Sequence, residues 1–164
     1  MKEALYRPNV GIIIFNRDGK ILWCKRKQGD GWQFPQGGID EGETPQDAIY
    51  RETYEEVGLE KQKIKVVREN DRWINYDVPK DKIPKYFSFK NRRFKGQRQK
   101  WFLAEFLGND EDINLSVHNQ IEFSEWRWST YWHPIIGGVE FKRDAYRKVL
   151  NDLLPYYVDY LRKF

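Results

Sequence analysis

Cysteine is nearly absent. Cys24 is the only one in 164 residues, so no disulfide can form within the chain, and this usage fits a reducing cytoplasm. It falls in an apolar, strand-like run and is read as packing, not as a reactive thiol. Histidine is almost as scarce, and His118 and His133 are too few and too far apart to suggest a zinc site. Long apolar runs are missing as well. The longest near the start, Ile12–Phe15, is far short of the roughly 20 residues of a membrane span or of a signal-peptide core. No membrane association is expected. No internal repeat, low-complexity tract or linker interrupts the chain, so one domain over residues 1–164 is expected.

Hydrophobic residues make up 40% of the chain and aromatics 16%, which argues for a packed core and against disorder. The net charge of +4 is unevenly spread. Lys80–Lys100 carries nine Lys or Arg against one Asp, a local excess of about +8 that leaves the rest of the chain near −4. A basic segment on an otherwise acidic protein suits a polyanionic substrate drawn in by long-range attraction. A solvated loop would look the same.

The most informative stretch is residues 37–59, GGIDEGETPQDAIYRETYEEVGL. Thr44 is a good N-cap, Pro45 suits the first helical position, and Asp47 three residues on completes a capping-box pattern. Gly58 supplies the left-handed residue on which a helix ends without strain. On that helix Glu52, Glu55 and Glu56 sit at i, i+3 and i+4 and share one face. Three carboxylates on one turn repel one another unless a cation neutralises them, and hard divalent ions such as Mg²⁺ want such oxygen ligands, often shared with a substrate phosphate.

Around this helix the pattern alternates between strands and turns. Val10–Phe15 reads as a buried strand, followed by a turn at residues 16–20 and a hairpin partner at Ile21–Lys25 with Trp23 and Cys24 on opposite faces. Trp32–Phe34 is a short strand stopped by Pro35, and the Gly37-Gly38 pair allows close backbone approach. Ile64–Arg68 and Trp73–Tyr76 read as strands, then a basic loop bracketed by Pro79 and Pro84. Lys100–Phe106 is a strand with Trp101 and Leu103 on one face, Asn109–Asn114 a polar loop, Glu122–Trp128 a last strand and Trp132–Gly138 a turn region. Phe141–Phe164 has helical spacing, with a stripe of Tyr146, Val149, Leu150 and Leu153 and a kink expected at Pro155. The expected fold is mixed α/β (α+β), a mixed sheet between helices.

Gly37, five residues, Glu43, seven residues and then Arg51-Glu52-Thr53-Tyr54-Glu55-Glu56-Val57-Gly58-Leu59 resembles the Nudix box, the signature of the Nudix hydrolase family. Every charged and glycine position matches. The single departure is Thr53, at a packing position where the family prefers an aliphatic residue. The resemblance implies an α/β/α sandwich and metal-dependent hydrolysis of a diphosphate linkage. It assigns two or three Mg²⁺ (or Mn²⁺, or another divalent cation) to Glu52, Glu55 and Glu56, helped by the Gly37 carbonyl and by Glu122. Arg51 would orient the carboxylates without touching substrate, and Glu43 would support the entrance of the helix.

Further blocks resemble one branch of that family, the bacterial RNA pyrophosphohydrolases. They are Tyr6–Gly11, Trp32–Gly38, Gly96-Gln97, Gln99–Leu103, Trp126–Trp128, Tyr131-Trp132 and Phe141–Asp144, whereas Lys80–Lys95 departs in detail. That branch converts the 5′-triphosphate of RNA to a monophosphate and so promotes mRNA decay. It implies a 5′ RNA end as partner, a cytoplasmic location and a monomer. By the same resemblance Arg7, Arg26, Val139 and Phe141 surround the second nucleotide. Phe141 would stack on the base, a contact typically worth ~1–3 kcal/mol, or else pack into the core. Lys142 would meet the base through its backbone or a phosphate through its side chain. Tyr76 and Lys100 are candidate phosphate ligands, with Lys100 alternatively an outward strand residue. Two other readings share the box: a dinucleoside polyphosphate (diadenosine tetraphosphate) hydrolase, and a catalytically inactive RNA-binding module.

Overall fold

The computed structural model describes residues 5–29, 31–83, 88–89 and 92–164. Pro84, expected to close the basic loop, lies outside them, as do Lys85 and Lys90. The strands are β1 (Leu5–Phe15), β2 (Ile21–Arg26), β3 (Trp32–Gln33), β4 (Gln36–Gly38), β5 (Ile64–Glu69), β6 (Ile74–Asp77), β7 (Ser88–Phe89), β8 (Arg92–Phe106) and β9 (Phe123–Ser129). The helices are α1 (Pro45–Val57), α2 (Pro134–Gly137) and α3 (Arg143–Leu161).

The sheet is mixed. Its main path runs β3-β2-β1-β8-β5, with β4 on β1, β6 and β7 on β8, and β9 on β2. β1 and β8 run parallel from Leu5↔Phe94 to Phe15↔Glu105, and the other strand-to-strand pairings among the described residues are antiparallel, with one isolated parallel bridge between Trp32 and Gly138. Strand alternation sends successive side chains to opposite layers. Val10, Ile12, Ile14 and Cys24 pack with Ala48, Ile49 and Val57 of α1. Ile13, Phe15, Trp23, Trp101 and Leu103 pack with Tyr146, Val149, Leu150 and Leu153 of α3. The expected α/β/α sandwich and the stripe of the last helix are therefore present, and Trp23 and Cys24 do face opposite ways.

Helix α1 forms for the reasons its sequence suggests. Thr44 Oγ1 accepts a bond of 3.1 Å from the Asp47 N–H, and Gly58 ends the helix at φ 73°, its N–H on the Tyr54 carbonyl. The return half of the capping box, from the Asp47 carboxylate to the Thr44 N–H, is not made among the described residues. Thr53 is fully buried, and its hydroxyl donates to the Ile49 carbonyl at 2.6 Å. That bond satisfies the one polar atom that the Thr brings to a packing position.

Several boundaries differ from the sequence reading. β8 begins at Arg92, not Lys100, so the second half of the basic segment is strand. Alternation of apolar residues stops at Trp101 because the inward residues before it, Gln97 and Gln99, are polar yet buried. Residues 36–38 form a strand on β1, and the turn region after Trp132 contains the helical turn α2. Glu122 lies just before β9, and α3 starts at Arg143 because Glu140–Lys142 is a 3-10 turn. Helix α3 continues past Pro155 to Leu161.

Gly11 sits at the centre of the sheet, where a Cβ would come within 2.7 Å of the fully buried Trp101 ring. Gly11→Ala is expected to destabilise the fold by about 1–3 kcal/mol through overpacking, read as a lower urea midpoint at unchanged slope.

Candidate active site

One end of the sheet gathers the functional candidates, and the register explains why. Arg7 on β1 pairs with Gln97 on the parallel β8. β2 runs antiparallel to β1, so its last residue, Arg26, reaches the same end, and β9 returns with Phe123 opposite Arg26 and Glu122 next to it. β4 lies on β1 with Gly37 opposite Val10, on the layer that faces α1.

Glu52 projects from α1 onto this end so closely that a Cβ on Gly37 would fall 1.9 Å from its carboxyl carbon. Gly38 is approached as tightly by Arg7, whose Nη2 would lie 2.2 Å from a Cβ there. Both glycines are needed as bare backbone. Glu56 is buried and accepts the Gln36 N–H at 3.0 Å. Burial, then the nearby charges of Glu52 and Glu122, push its pKa well above the carboxylate range, against the pull of the Gln36 N–H and Lys142. Burial also raises Glu52, to about 7, although Arg51 opposes the shift.

Arg51 ties the acidic helix together. Its Nε and Nη2 donate to Glu43 at 2.8 and 2.9 Å, its Nη1 to Glu52 at 2.8 Å and Glu55 at 3.4 Å, and its Nη2 to the Gly38 carbonyl at 2.9 Å. The Glu43 bonds come first among the causes that raise the Arg51 pKa, and the same bonds hold Glu43 below the usual carboxylate value. Glu43 also accepts the Asp40 N–H at 2.9 Å, which closes the loop before the helix.

The opposite layer carries the remaining candidates. Lys142 is buried, with Nζ on Gln33 Oε1 at 2.7 Å, and burial followed by Arg26 lowers its pKa to about 7, partly offset by Glu56 and Glu122. Val139 is nearly buried against Gly31, where a Cβ would lie 2.8 Å from its Cγ2. Phe141 is half-buried beside the α3 core, its ring centroid 6.1 Å from Tyr76 and Lys82 Nζ 5.7 Å above it. Arg26, Lys27, Gln28, Gln120, Ile121 and Glu122 line an open cleft of about 430 Å³.

Two candidates are engaged elsewhere. The Tyr76 hydroxyl is buried on Gln97 Oε1 at 2.5 Å, and Lys100 Nζ donates to the Asp71 carbonyl at 3.0 Å beside Glu69. Sequence reading also missed a buried chain of amides. Gln99 Nε2 bonds Asn9 at 2.8 Å and Gln36 at 3.2 Å, and Gln99 Oε1 accepts the Trp101 indole N–H at 3.2 Å. The signal was there, since Gln97 and Gln99 keep step with Trp101 at the two-residue strand period.

The donor set is all oxygen, and the buried Glu56, facing two further carboxylates, has the chemistry of a hard divalent cation's ligand. Among the described residues no three acidic, His or Cys side chains converge as a cage, and Arg51 is paired with both Glu52 and Glu55.

Residues 5–149 match the NUDIX domain model, so this chain belongs to the Nudix family, whose hydrolases generally need divalent metal ions. Within it, the chain is 49% identical to an RNA pyrophosphohydrolase of Hydrogenovibrio crunogenus, over 90% of this chain and 88% of that one. It is 44% identical to an RNA pyrophosphohydrolase of Mannheimia succiniciproducens, over 94% of this chain and 77% of the relative. In fold it is similar to the E. coli dihydroneopterin triphosphate pyrophosphohydrolase, with a TM-score of 0.70 at 18% identity over 89% of this chain and 97% of that one. A C. elegans Ap4A hydrolase in a binary complex gives a TM-score of 0.63 at 22% identity over 91% and 98%.

Gly37→Ala should displace Glu52 and weaken Mn²⁺ binding roughly 10–100-fold, the usual cost of disturbing a ligand's support, as followed by electron paramagnetic resonance. Unchanged affinity would separate Glu52 from the metal.

Proposed function

We propose that this protein is an RNA pyrophosphohydrolase, which hydrolyses the 5′-triphosphate or diphosphate end of RNA to a 5′-monophosphate and releases pyrophosphate or phosphate. The observation that carries this reading is identity of 44–49% to curated RNA pyrophosphohydrolases over at least nine-tenths of the chain. The site supports it chemically. Carboxylates on the α1 layer and cationic or aromatic groups on the α3 layer meet at one sheet end, as a substrate with both phosphates and bases requires. We place the protein in the cytoplasm, the reducing compartment that its single cysteine suits, and read it as a monomer.

Two or three Mg²⁺ ions, or Mn²⁺ in their place, would be held by Glu52, Glu55, Glu56 and Glu122 with the Gly37 carbonyl. When bound they supply neutralisation of the charge that builds on phosphate oxygens during in-line attack by water. Arg51 spaces the glutamates, and its bonds to Glu43 keep it from swinging toward substrate. The Gln36 N–H holds one Glu56 oxygen and so fixes the carboxylate beside the other glutamates. Arg7, beside Gly38, is placed to meet a phosphate next to the carboxylates. Arg26, Val139 and Phe141 take the second nucleotide, with Lys142 buried behind them on Gln33. Lys100 and Tyr76 would serve phosphates only after leaving their present partners. The complete set of box glutamates speaks against an inactive module, because an acidic cluster retained without a cation costs stability.

Glu56→Gln is expected to lower Mg²⁺-dependent pyrophosphate release from 5′-triphosphate RNA roughly 100-fold or more while circular dichroism stays native. Near-normal turnover would remove Glu56 from the chemistry. Phe141→Ala should cut kcat/KM for RNA about tenfold more than for a nucleoside triphosphate, the scale of one lost base stack. Equal losses on both substrates would make Phe141 a packing residue.

A further inference from the structure

Outside the site just described, an exposed arginine, Arg127, is held against two flat side chains, Trp32 and His133, which are half-buried at the edge of the α3 core. Arg127 on β9 lies over the Trp32 ring, its guanidinium carbon 4.4 Å from the centroid. Its Nη2 stands 3.0 Å from His133 Nε2. Partial burial, then the Arg127 charge, lowers the His133 pKa, so the imidazole is neutral at pH 7 and accepts from the guanidinium. Arg127 is exposed, and among the described residues no carboxylate pairs with it. The nearest acidic residue on its own strand face, Glu125, is taken by Lys25 at 3.0 Å. A guanidinium pinned from two sides, yet without an anion, is preorganised for a ligand that brings both a π-face and a negative charge.

The position of this group says which ligand. Trp32 forms a bridge with Gly138, the residue before Val139, and Val139 itself rests on Gly31, the residue before Trp32. The Trp32–Arg127 stack is thus continuous with the wall assigned to the second nucleotide. We propose that Trp32, Arg127 and His133 form a platform for an RNA nucleotide 3′ of the one held at Val139 and Phe141. This rests on the RNA reading above. The platform accepts any base, because every base offers a π-face and stacking on it is tolerant of sequence. It gives the enzyme a preference for chains longer than a dinucleotide, which neither a nucleoside triphosphate nor a dinucleoside polyphosphate can exploit.

The test compares a 5′-triphosphorylated dinucleotide with a pentanucleotide of the same 5′ sequence. Arg127→Ala should raise KM for the pentanucleotide about tenfold at little-changed kcat, and for the dinucleotide less than about twofold. Arg127→Lys, which keeps the charge without the planar fork, should recover little of that loss. The platform is overturned by equal effects on both substrates, by no effect on either, or by full recovery with Lys, which would mark a simple phosphate contact. A wild-type protein that leaves both RNAs intact would overturn the functional reading itself and the platform with it. A wild type that cleaves both, with Arg127→Ala equally active on the longer one, removes the platform alone.

Discussion

The carboxylate of Glu56 is the constraint around which the molecule is arranged. It is buried beside Glu52 and Glu122, with the Gln36 N–H as its fixed hydrogen-bond donor. A carboxylate in that setting is costly unless a positive charge answers it. The fold accepts the cost because α1 is clamped at both ends, by Thr44 and by Gly58, and buries Ala48, Ile49 and Val57 beside the acidic residue. Gly37 and Gly38 then bring bare backbone up to Glu52 and Arg7. The chemistry is thereby set on a rigid helix against a rigid strand, where catalytic groups are held more accurately than on loops.

The parallel pairing of β1 with β8 joins this acidic layer to the layer that carries Val139, Phe141 and Lys142, the proposed substrate contacts. Because β2 runs against β1, β8 and β9, its last residue Arg26 comes to the same end of the sheet as Arg7, Gln97 and Glu122. Through that end runs the amide chain of Asn9, Gln36, Gln97 and Gln99. Its member Gln36 touches both layers, with its side chain bonded to Gln99 and its backbone N–H on Glu56. Tyr76 joins the same chain while packing near Phe141. A base placed against Phe141 and a phosphate placed at Glu56 therefore rest on one connected, buried network.

Much of this was legible in the residues alone. Local signals defined α1, its carboxylate face and its Gly58 stop, because capping and helical spacing act within a few residues. Apolar alternation placed Trp23 and Cys24 on opposite layers, and the α3 stripe was read correctly. The misses share a physical cause. Gln97 and Gln99 are polar residues made tolerable in the interior by partners distant in sequence, so apolar alternation alone does not carry the strand through them. The start of β8 was lost for that reason, and β4 because two glycines in a row look like a turn until β1 pairs with them. Within the site, the glutamates were visible as a cluster, but the clamp of Arg51 on Glu43 and Gly38 depends on the folded loop.

A hydrolase that prefers the 5′ end of RNA over other polyphosphates built on the same chemistry is the central proposal. The decisive measurement sets purified protein at matched Mg²⁺ on 5′-triphosphate RNA and on diadenosine tetraphosphate and compares kcat/KM with product analysis. The account predicts pyrophosphate and 5′-monophosphate RNA from the first and slow action on the second. Rapid cleavage of diadenosine tetraphosphate with triphosphate RNA left intact would contradict it.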